Sequence, residues 1–182
     1  ANKETIIDFE GIARHKGSAF GNIGMPEQPG QEQFENILAI ELYHAAEKKQ
    51  CIWVEDESQR IGIVNIPINV WKKMRTKPLY FLDIPFEERL QHITQEYGKL
   101  EKEKLINAII RIKKRLGGLE TKECINALLE ERTEDCFRIL LTYYDKWYLK
   151  GMHNREDFEA LLHKIPCETV SPENIGQLLQ ST

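Results

Sequence analysis

The stretch Thr5–Gly24, TIIDFEGIARHKGSAFGNIG, decides how the fold is interpreted. A phosphate-binding P-loop has the pattern G-x-x-x-x-G-K-[ST] and leads directly into a helix. Here five residues separate Gly11 from Gly17, and Ser18 occupies the place where the lysine is required. The stretch is therefore predicted to be a strand over residues 5–9, followed by a glycine-rich loop that is not a P-loop.

Beyond this loop, short apolar runs alternate with amphipathic helical patterns. Further strands are predicted over residues 51–55, 79–83 and 167–170, because each run is short, apolar and flanked by polar residues. Alternation of this kind predicts an α/β fold with a parallel sheet and helices on both faces. The predicted organisation is an α/β part formed by about 1–98 and 166–182, with a helical insertion over about 99–165.

Composition restricts the class of protein. The chain has 182 residues, a formal net charge of -4 and four widely spaced cysteines without a C-x-x-C pair. This usage predicts free thiols and no metal site, and the net charge excludes a global attraction to nucleic acid. There is neither a run of about 18 apolar residues nor a secretory signal, so we expect a cytoplasmic protein without membrane association.

The carboxyl ends of the predicted strands gather charged residues at one edge of the sheet, which is where α/β sheets bind ligands. The glycine-rich loop follows the first strand, the acidic turn Glu55–Glu57 follows the second, and Asp83 ends the third. A flexible solvated loop and an ordinary charged turn are the alternatives. The predicted substrate-binding residues are Asp8, Glu10, Arg14, His15, Lys16, Ser18 and Arg60.

Glu55 and Glu57 are the candidate catalytic residues. A carboxylate directly after a buried strand is the usual position for binding Mg²⁺ or orienting water in nucleotide-using sheets. The pattern therefore makes Mg²⁺ a candidate ligand.

A helix predicted near residues 99–115 ends in a cluster of cations. Such a cluster either compensates the helix dipole or contacts a nucleic-acid backbone. The aromatic run 140–148 has helical spacing at Leu140, Tyr144, Trp147 and Tyr148, which favours packing in the core or between helices over base stacking by Tyr143 or Tyr148. The candidate nucleic-acid-binding residues are Arg111, Lys113, Lys114 and Arg115.

Five segments together resemble the tRNA 2-selenouridine synthases. The resemblance runs from Ile6 to about Tyr148. In order, the segments are DFEGIARHKGSAFG, QPGQEQFENILA, WVEDESQRIGIVNIP, IIRIKKRLGG and LLTYYDKWY.

The resemblance implies a tRNA-modifying transferase. In this family a rhodanese-like domain with a catalytic cysteine precedes a P-loop domain. The enzyme replaces the sulfur of wobble 2-thiouridine in tRNA with selenium. Selenophosphate supplies the selenium, and the reaction passes through a geranylated intermediate made from geranyl diphosphate.

The sequence departs from the family pattern because it contains neither the rhodanese-like domain nor the Walker A strand and loop. We therefore expect a P-loop kinase-like domain that lacks its first strand, holds no cofactor of its own and is inactive alone. Its expected partners are tRNA and the missing rhodanese-like domain of the same protein. A nucleotide-binding regulatory module and a small-molecule kinase of P-loop kinase-like fold are the alternative functions.

Overall fold

Residues 4–180 are described in the computed structural model, and they divide into two units between Arg75 and Thr76. In the first unit, strands β1 and β2 pair in parallel, with Thr5 opposite Ile52 and Ile7 opposite Val54. A short antiparallel hairpin, β3–β4, turns at Gly62, whose φ of +61° favours glycine. The elements are β1 (Thr5–Ile7), α1 (Phe9–Ala13), α2 (Gln31–Glu47), β2 (Ile52–Val54), β3 (Arg60–Ile61), β4 (Val64–Asn65) and α3 (Ile68–Arg75).

The core of the first unit joins these elements through apolar side chains that are fully buried. Phe34 and Leu38 lie one turn apart on α2 and are at most 1% exposed, as the helical period requires. They pack in one cluster with Ile7 of β1, Phe9 of α1 and Val64 of the hairpin. The core thereby fixes the start of the glycine-rich loop against α2 and the hairpin.

The second unit pairs two parallel strands that are far apart in sequence. Strand β5 runs beside β6 with Leu79 opposite Leu162 and Asp83 opposite Pro166. Helices fill the intervening chain, and α6 packs against both α5 and α7. The elements are β5 (Leu79–Asp83), α4 (Phe86–Tyr97), α5 (Lys102–Leu116), α6 (Gly118–Leu129), α7 (Thr133–His153), α8 (Phe158–Leu161), β6 (Leu162–Pro166) and α9 (Glu173–Gln180).

The α/β class and the parallel pairing are confirmed, but the strand predicted over 167–170 is wrong. The strand lies at Leu162–Pro166 because these five residues pair along the whole of β5. Cys167 then donates its backbone N–H to the Asp83 carbonyl at 3.1 Å, which closes the end of the ladder. The P-loop kinase-like order and the predicted division into an α/β part and a helical insertion stay predictions.

The strand predicted over residues 5–9 is shorter than expected, and the β3–β4 hairpin was not predicted. Strand β1 ends at Ile7 because Asp8 caps a helix that occupies the start of the expected loop.

Among the helices described between residues 4 and 180, none combines the length and apolar character needed to cross a membrane.

Candidate functional site

Helix α1 forms directly after β1 because two carboxylates cap its N-terminus. The Asp8 side chain accepts the Gly11 N–H at 2.5 Å, and the Glu55 side chain accepts the Phe9 N–H at 3.0 Å. The first N–H groups of a helix have no partner within the helix, and acceptors there also interact favourably with its dipole. The parallel pairing of β1 and β2 thus brings the ends of two strands together through a shared helix cap.

Glu10 and Glu57 meet beside Gly17. A Cβ placed on Gly17 would lie 2.5 Å from Glu57 Oε1 and 2.8 Å from Glu10 Oε1. Gly17 also has a φ of +65°, a conformation in which other residues are strained. Position 17 therefore favours glycine for two separate reasons: its positive φ and the closeness of the two carboxylates.

Four acidic side chains form this site, which we call the carboxylate cluster: Asp8, Glu10, Glu55 and Glu57. Burial raises the pKa of Glu57 to about 8, assisted by a hydrogen bond to Glu10 and by the charges of Glu10 and Glu55. Burial also raises the pKa of Glu10 and of Glu55. Glu57 consequently keeps its proton at neutral pH and shares it with the Glu10 carboxylate.

Hydrogen bonds within its own backbone fold the glycine-rich loop after α1. The Lys16 N–H donates to the Gly21 carbonyl at 3.0 Å, and the Gly21 N–H donates to the Ser18 carbonyl at 3.0 Å. The Ser18 hydroxyl accepts the Phe20 N–H at 3.2 Å. The His15 ring is 7% exposed and packs against Gly21. Lys16 is half-buried, and its charge offsets a small part of the rise that burial causes in the pKa of Glu10.

Arg14 and Arg60, predicted to bind substrate, are both exposed. The Arg14 guanidinium donates to the Glu27 carbonyl at 3.2 Å, and the Arg60 Nε donates to the Gly62 carbonyl at 2.8 Å. Each arginine therefore braces a turn of the first unit. Asp83 is exposed at the end of β5 and belongs to the second unit.

Three residues whose side chains brace the backbone of the first unit were not predicted: Gln28, Gln31 and Trp71. The Gln28 amide donates to the Ala13 carbonyl at 3.0 Å and to the Ile61 carbonyl at 3.1 Å, and it accepts the Ile63 N–H at 3.0 Å. Gln31 forms a similar two-way pair with the backbone of Asn65, and Trp71 donates to the Glu57 carbonyl at 3.1 Å. The only sequence signal was the pair of glutamines around Pro29–Gly30.

The carboxylate cluster places Glu10 and Glu57 where they share a proton. Within residues 4–180, no group of three or more His, Cys, Asp or Glu side chains is placed to hold a metal ion. Mg²⁺ binding by Glu55 and Glu57 therefore stays a prediction.

A second candidate region lies at the basic end of α5, formed by Arg111, Lys113, Lys114 and Arg115. All four side chains are exposed, while Leu105, Ala108 and Ile109 on the same helix are buried. Two members of the aromatic run on α7 are exposed in part: Trp147 is 38% exposed and Tyr148 is 43% exposed. The Arg115 guanidinium carbon lies 5.7 Å from the centre of the Trp147 ring.

Comparison with known proteins gives one consistent result. A family model described as "tRNA 2-selenouridine synthase AAA domain" matches residues 1–164. No solved structure matches the chain.

Curated relatives are named tRNA 2-selenouridine synthase. The chain is 30% identical to one from Psychromonas ingrahamii over 181 residues, which cover 83% of this chain and 49% of the relative. One from Shewanella frigidimarina is 30% identical, over 85% of this chain and 50% of the relative. One from Cupriavidus pinatubonensis is 41% identical over 98 residues, 53% of this chain and 26% of the relative. In its longer alignments the chain thus spans about half the length of the curated relatives it matches.

Proposed function

From the premise that this chain belongs to the tRNA 2-selenouridine synthase family, we propose that it is part of a tRNA-modifying transferase. The complete enzyme replaces the sulfur of wobble 2-thiouridine with selenium from selenophosphate, by way of a geranylated intermediate made from geranyl diphosphate. The family match over residues 1–164 carries this proposal. Within the enzyme, this chain contributes tRNA binding and one wall of the substrate site.

The rest of the enzyme supplies the Walker A segment and the rhodanese-like domain. This part of the proposal is supported by the relatives, of which the chain spans about half. A diphosphate is best held by backbone N–H groups at a helix N-terminus. In α1 the N–H groups of Phe9 and Gly11 are taken by Glu55 and Asp8. A diphosphate would therefore need another helix, as a P-loop kinase-like fold provides.

The carboxylate cluster is proposed to handle a proton in the reaction. Burial, the hydrogen bond to Glu10 and the charges of Glu10 and Glu55 raise the pKa of Glu57 to about 8. A carboxyl group with a pKa near the working pH is suited to general acid–base catalysis. In this proposal Arg14, Lys16 and Arg60 provide positive charge for an anionic substrate seated against the loop.

The basic end of α5 is proposed to bind tRNA phosphates. Its four cations are exposed in the last turns of one helix, in a chain whose net charge is -4. A local basic surface of this kind gives binding that weakens as salt is raised, because binding releases counterions from the nucleic acid.

The test replaces Lys113, Lys114 and Arg115 together by alanine in the full-length enzyme. Affinity for substrate tRNA is expected to fall, and the slope of log K against log salt to flatten by about 2–3. The control removes three other exposed lysines, Lys72, Lys73 and Lys77. Equal losses in both variants would reduce the effect to net charge, and unchanged affinity and slope would remove the basic end from the tRNA site.

Turnover tests the division of labour. The 182-residue chain and the full-length enzyme are compared in converting 2-thiouridine tRNA to its geranylated and selenated forms. We expect the chain alone to bind tRNA without turnover. In the full-length enzyme, Glu57→Gln should lower turnover and leave tRNA affinity unchanged. Full turnover by the chain alone would overturn the assignment of essential chemistry to the remaining segments.

A further inference from the structure

Helix α7 holds a tryptophan on its surface between cationic side chains. The Trp147 side chain is 38% exposed. Lys150 Nζ lies 5.0 Å from the centre of its ring and the Arg115 guanidinium carbon 5.7 Å. The Tyr143 ring lies 6.3 Å away at 58°. An aromatic surface bordered by cations is therefore present on the outside of the second unit.

The helix packing fixes this arrangement. On α7, Phe137, Leu140 and Leu141 are buried. On α5, Ile109 and Leu116 are buried, and α6 packs against both helices. Because each helix is anchored by its apolar face, Arg115 and Trp147 are brought together from positions that are about 30 residues apart in sequence. The contact between them is a consequence of the fold.

The charge around the ring is positive. Lys113, Lys114 and Lys146 are exposed on the same two helices. Asp145, the acidic residue of the aromatic run, is engaged by Arg89 through two hydrogen bonds of 2.6 and 2.9 Å. Glu120 lies against Gly117 at the start of α6. In the segments 111–116 of α5 and 143–150 of α7, six cations are thus accompanied by one carboxylate, Asp145.

We propose that Trp147, together with Arg115 and Lys150, is a stacking site for an unpaired nucleobase of RNA. This inference rests on the proposed tRNA-binding function and assigns that function a second kind of contact. Aromatic rings bind bases of single-stranded segments by stacking, and arginine adds cation–π interactions. Arg115 and Lys150 lie over the indole ring in the structure, so in this site the base displaces a cation from the ring face and stacks there, and the long side chains of Arg115 and Lys150 turn to the neighbouring phosphates.

Charge favours RNA over a protein as the occupant. An apolar partner surface would have to desolvate Arg115 and Lys150 without compensation, whereas a polynucleotide brings a phosphate for each cation. Stacking also separates an unpaired loop from a duplex, since paired bases present no free face to the indole ring.

The first measurement compares the affinity of the 182-residue chain for two RNAs of equal charge. One is a hairpin with a seven-nucleotide unpaired loop, and the other is a blunt duplex with the same number of phosphates. Trp147→Ala should weaken binding of the hairpin by about tenfold and leave duplex binding unchanged, since one stacked base contributes on that scale. Trp147→Phe should recover part of the loss.

The matched control is Leu149→Ala. Leu149 is 45% exposed two positions away on α7 and has no aromatic ring, so its replacement should leave binding of both RNAs unchanged. Circular dichroism of each variant establishes that the helices are intact.

The second measurement observes the indole directly. The chain contains three tryptophans, so incorporation of 5-fluorotryptophan should give three ¹⁹F resonances, one of which is absent in Trp147→Phe. That resonance should shift on addition of the looped hairpin and stay in place on addition of the duplex.

The outcomes separate this inference from the proposed function. If RNA binds but the Trp147 resonance does not move and Trp147→Ala binds the hairpin normally, the stacking site is overturned while tRNA binding stands. If neither RNA binds the 182-residue chain, or if tRNA does not bind the full-length enzyme, the proposed tRNA-binding role is itself overturned. Equal loss in Trp147→Ala and Leu149→Ala would assign the surface to apolar contact and contradict stacking.

Discussion

The carboxylate cluster and the basic end of α5 differ in where their charged groups are directed. In the cluster, Asp8 and Glu55 cap α1, and Glu57 shares a proton with Glu10. At the basic end the cations are exposed. The first region is held in place by its own contacts, so changes there should alter stability as well as function. The second should alter binding with little effect on stability.

Loss of Gln28 should cause the largest fall in the free energy of unfolding. Gln28→Ala removes three hydrogen bonds to the backbone, two of them to carbonyls of the fully buried residues Ala13 and Ile61. We expect the free energy of unfolding to fall by about 3 kcal/mol, because buried polar groups lose their partners. Urea unfolding measures it. The control is Gln31→Ala, because the hydrogen bonds of Gln31 are exposed; it should lower the free energy of unfolding by about 1 kcal/mol. Equal losses in both variants would contradict the bracing role of Gln28.

Replacement of Gly17 tests the contact between loop and carboxylates. Gly17→Ala should lower the free energy of unfolding by about 2–3 kcal/mol, from a positive φ and from displacement of Glu10 and Glu57. Gly24 also has a positive φ, but nothing lies within 4 Å of its Cβ position. Gly24→Ala should therefore cost about 1 kcal/mol. If thermal and urea unfolding show the same loss for both variants, the carboxylates do not press on the loop.

The pH dependence of stability tests whether Glu57 carries a proton in the carboxylate cluster. The pKa of Glu57 in the folded protein, about 8, lies above its ordinary value of 4.5. The stabilisation linked to its bound proton is therefore complete below pH 4.5 and is lost as the pH rises through 8. Glu57→Gln should reduce the fall in stability between pH 5 and pH 8.5 by about 1–2 kcal/mol. Denaturation at both pH values measures this fall. The control is Glu41→Gln, which changes an exposed residue of α2 and should leave the fall unchanged. An unaltered fall in Glu57→Gln would show that Glu57 does not carry the proton.

The smallest effect on stability is expected at the basic end. Replacing Lys113, Lys114 and Arg115 by alanine should change the free energy of unfolding by less than about 1 kcal/mol, the part that their interaction with the helix dipole supplies. Chemical denaturation in low salt measures it. A loss as large as that of Gln28→Ala would mean that these cations hold the second unit together, and the contrast between the two regions would disappear.

Local sequence patterns predicted the parts of the fold that depend on short-range physics. Strands β1, β2 and β5 have short apolar runs, and the helical period of α2 is set by Phe34 and Leu38. The sequence also predicted that Glu55 lies near the end of β1, because parallel strands have their carboxyl ends at the same edge of a sheet. Its hydrogen bond to the Phe9 N–H agrees with this.

The features that the sequence did not predict depend on partners distant in the chain. Helix α1 needs the Glu55 carboxylate, which lies 46 positions from Phe9. Gln28 bonds to Ile61 across 33 positions. Strand β6 was missed because Leu162–Pro166 continues a helical pattern, and its pairing with β5 decides its conformation. Spacing on α7 also did not separate the buried Leu140 from the exposed Trp147, because their burial depends on which helices pack against α7.

The pairing of β5 with β6 sets the order in which the second unit can fold. These strands are about 80 residues apart, so their parallel ladder closes a long loop and carries its full entropic cost. The contacts of α6 with α5 and α7 join neighbours along the chain, and such local contacts form quickly. The helices should therefore form first and shorten the effective loop, and the ladder completes the unit in the slow step.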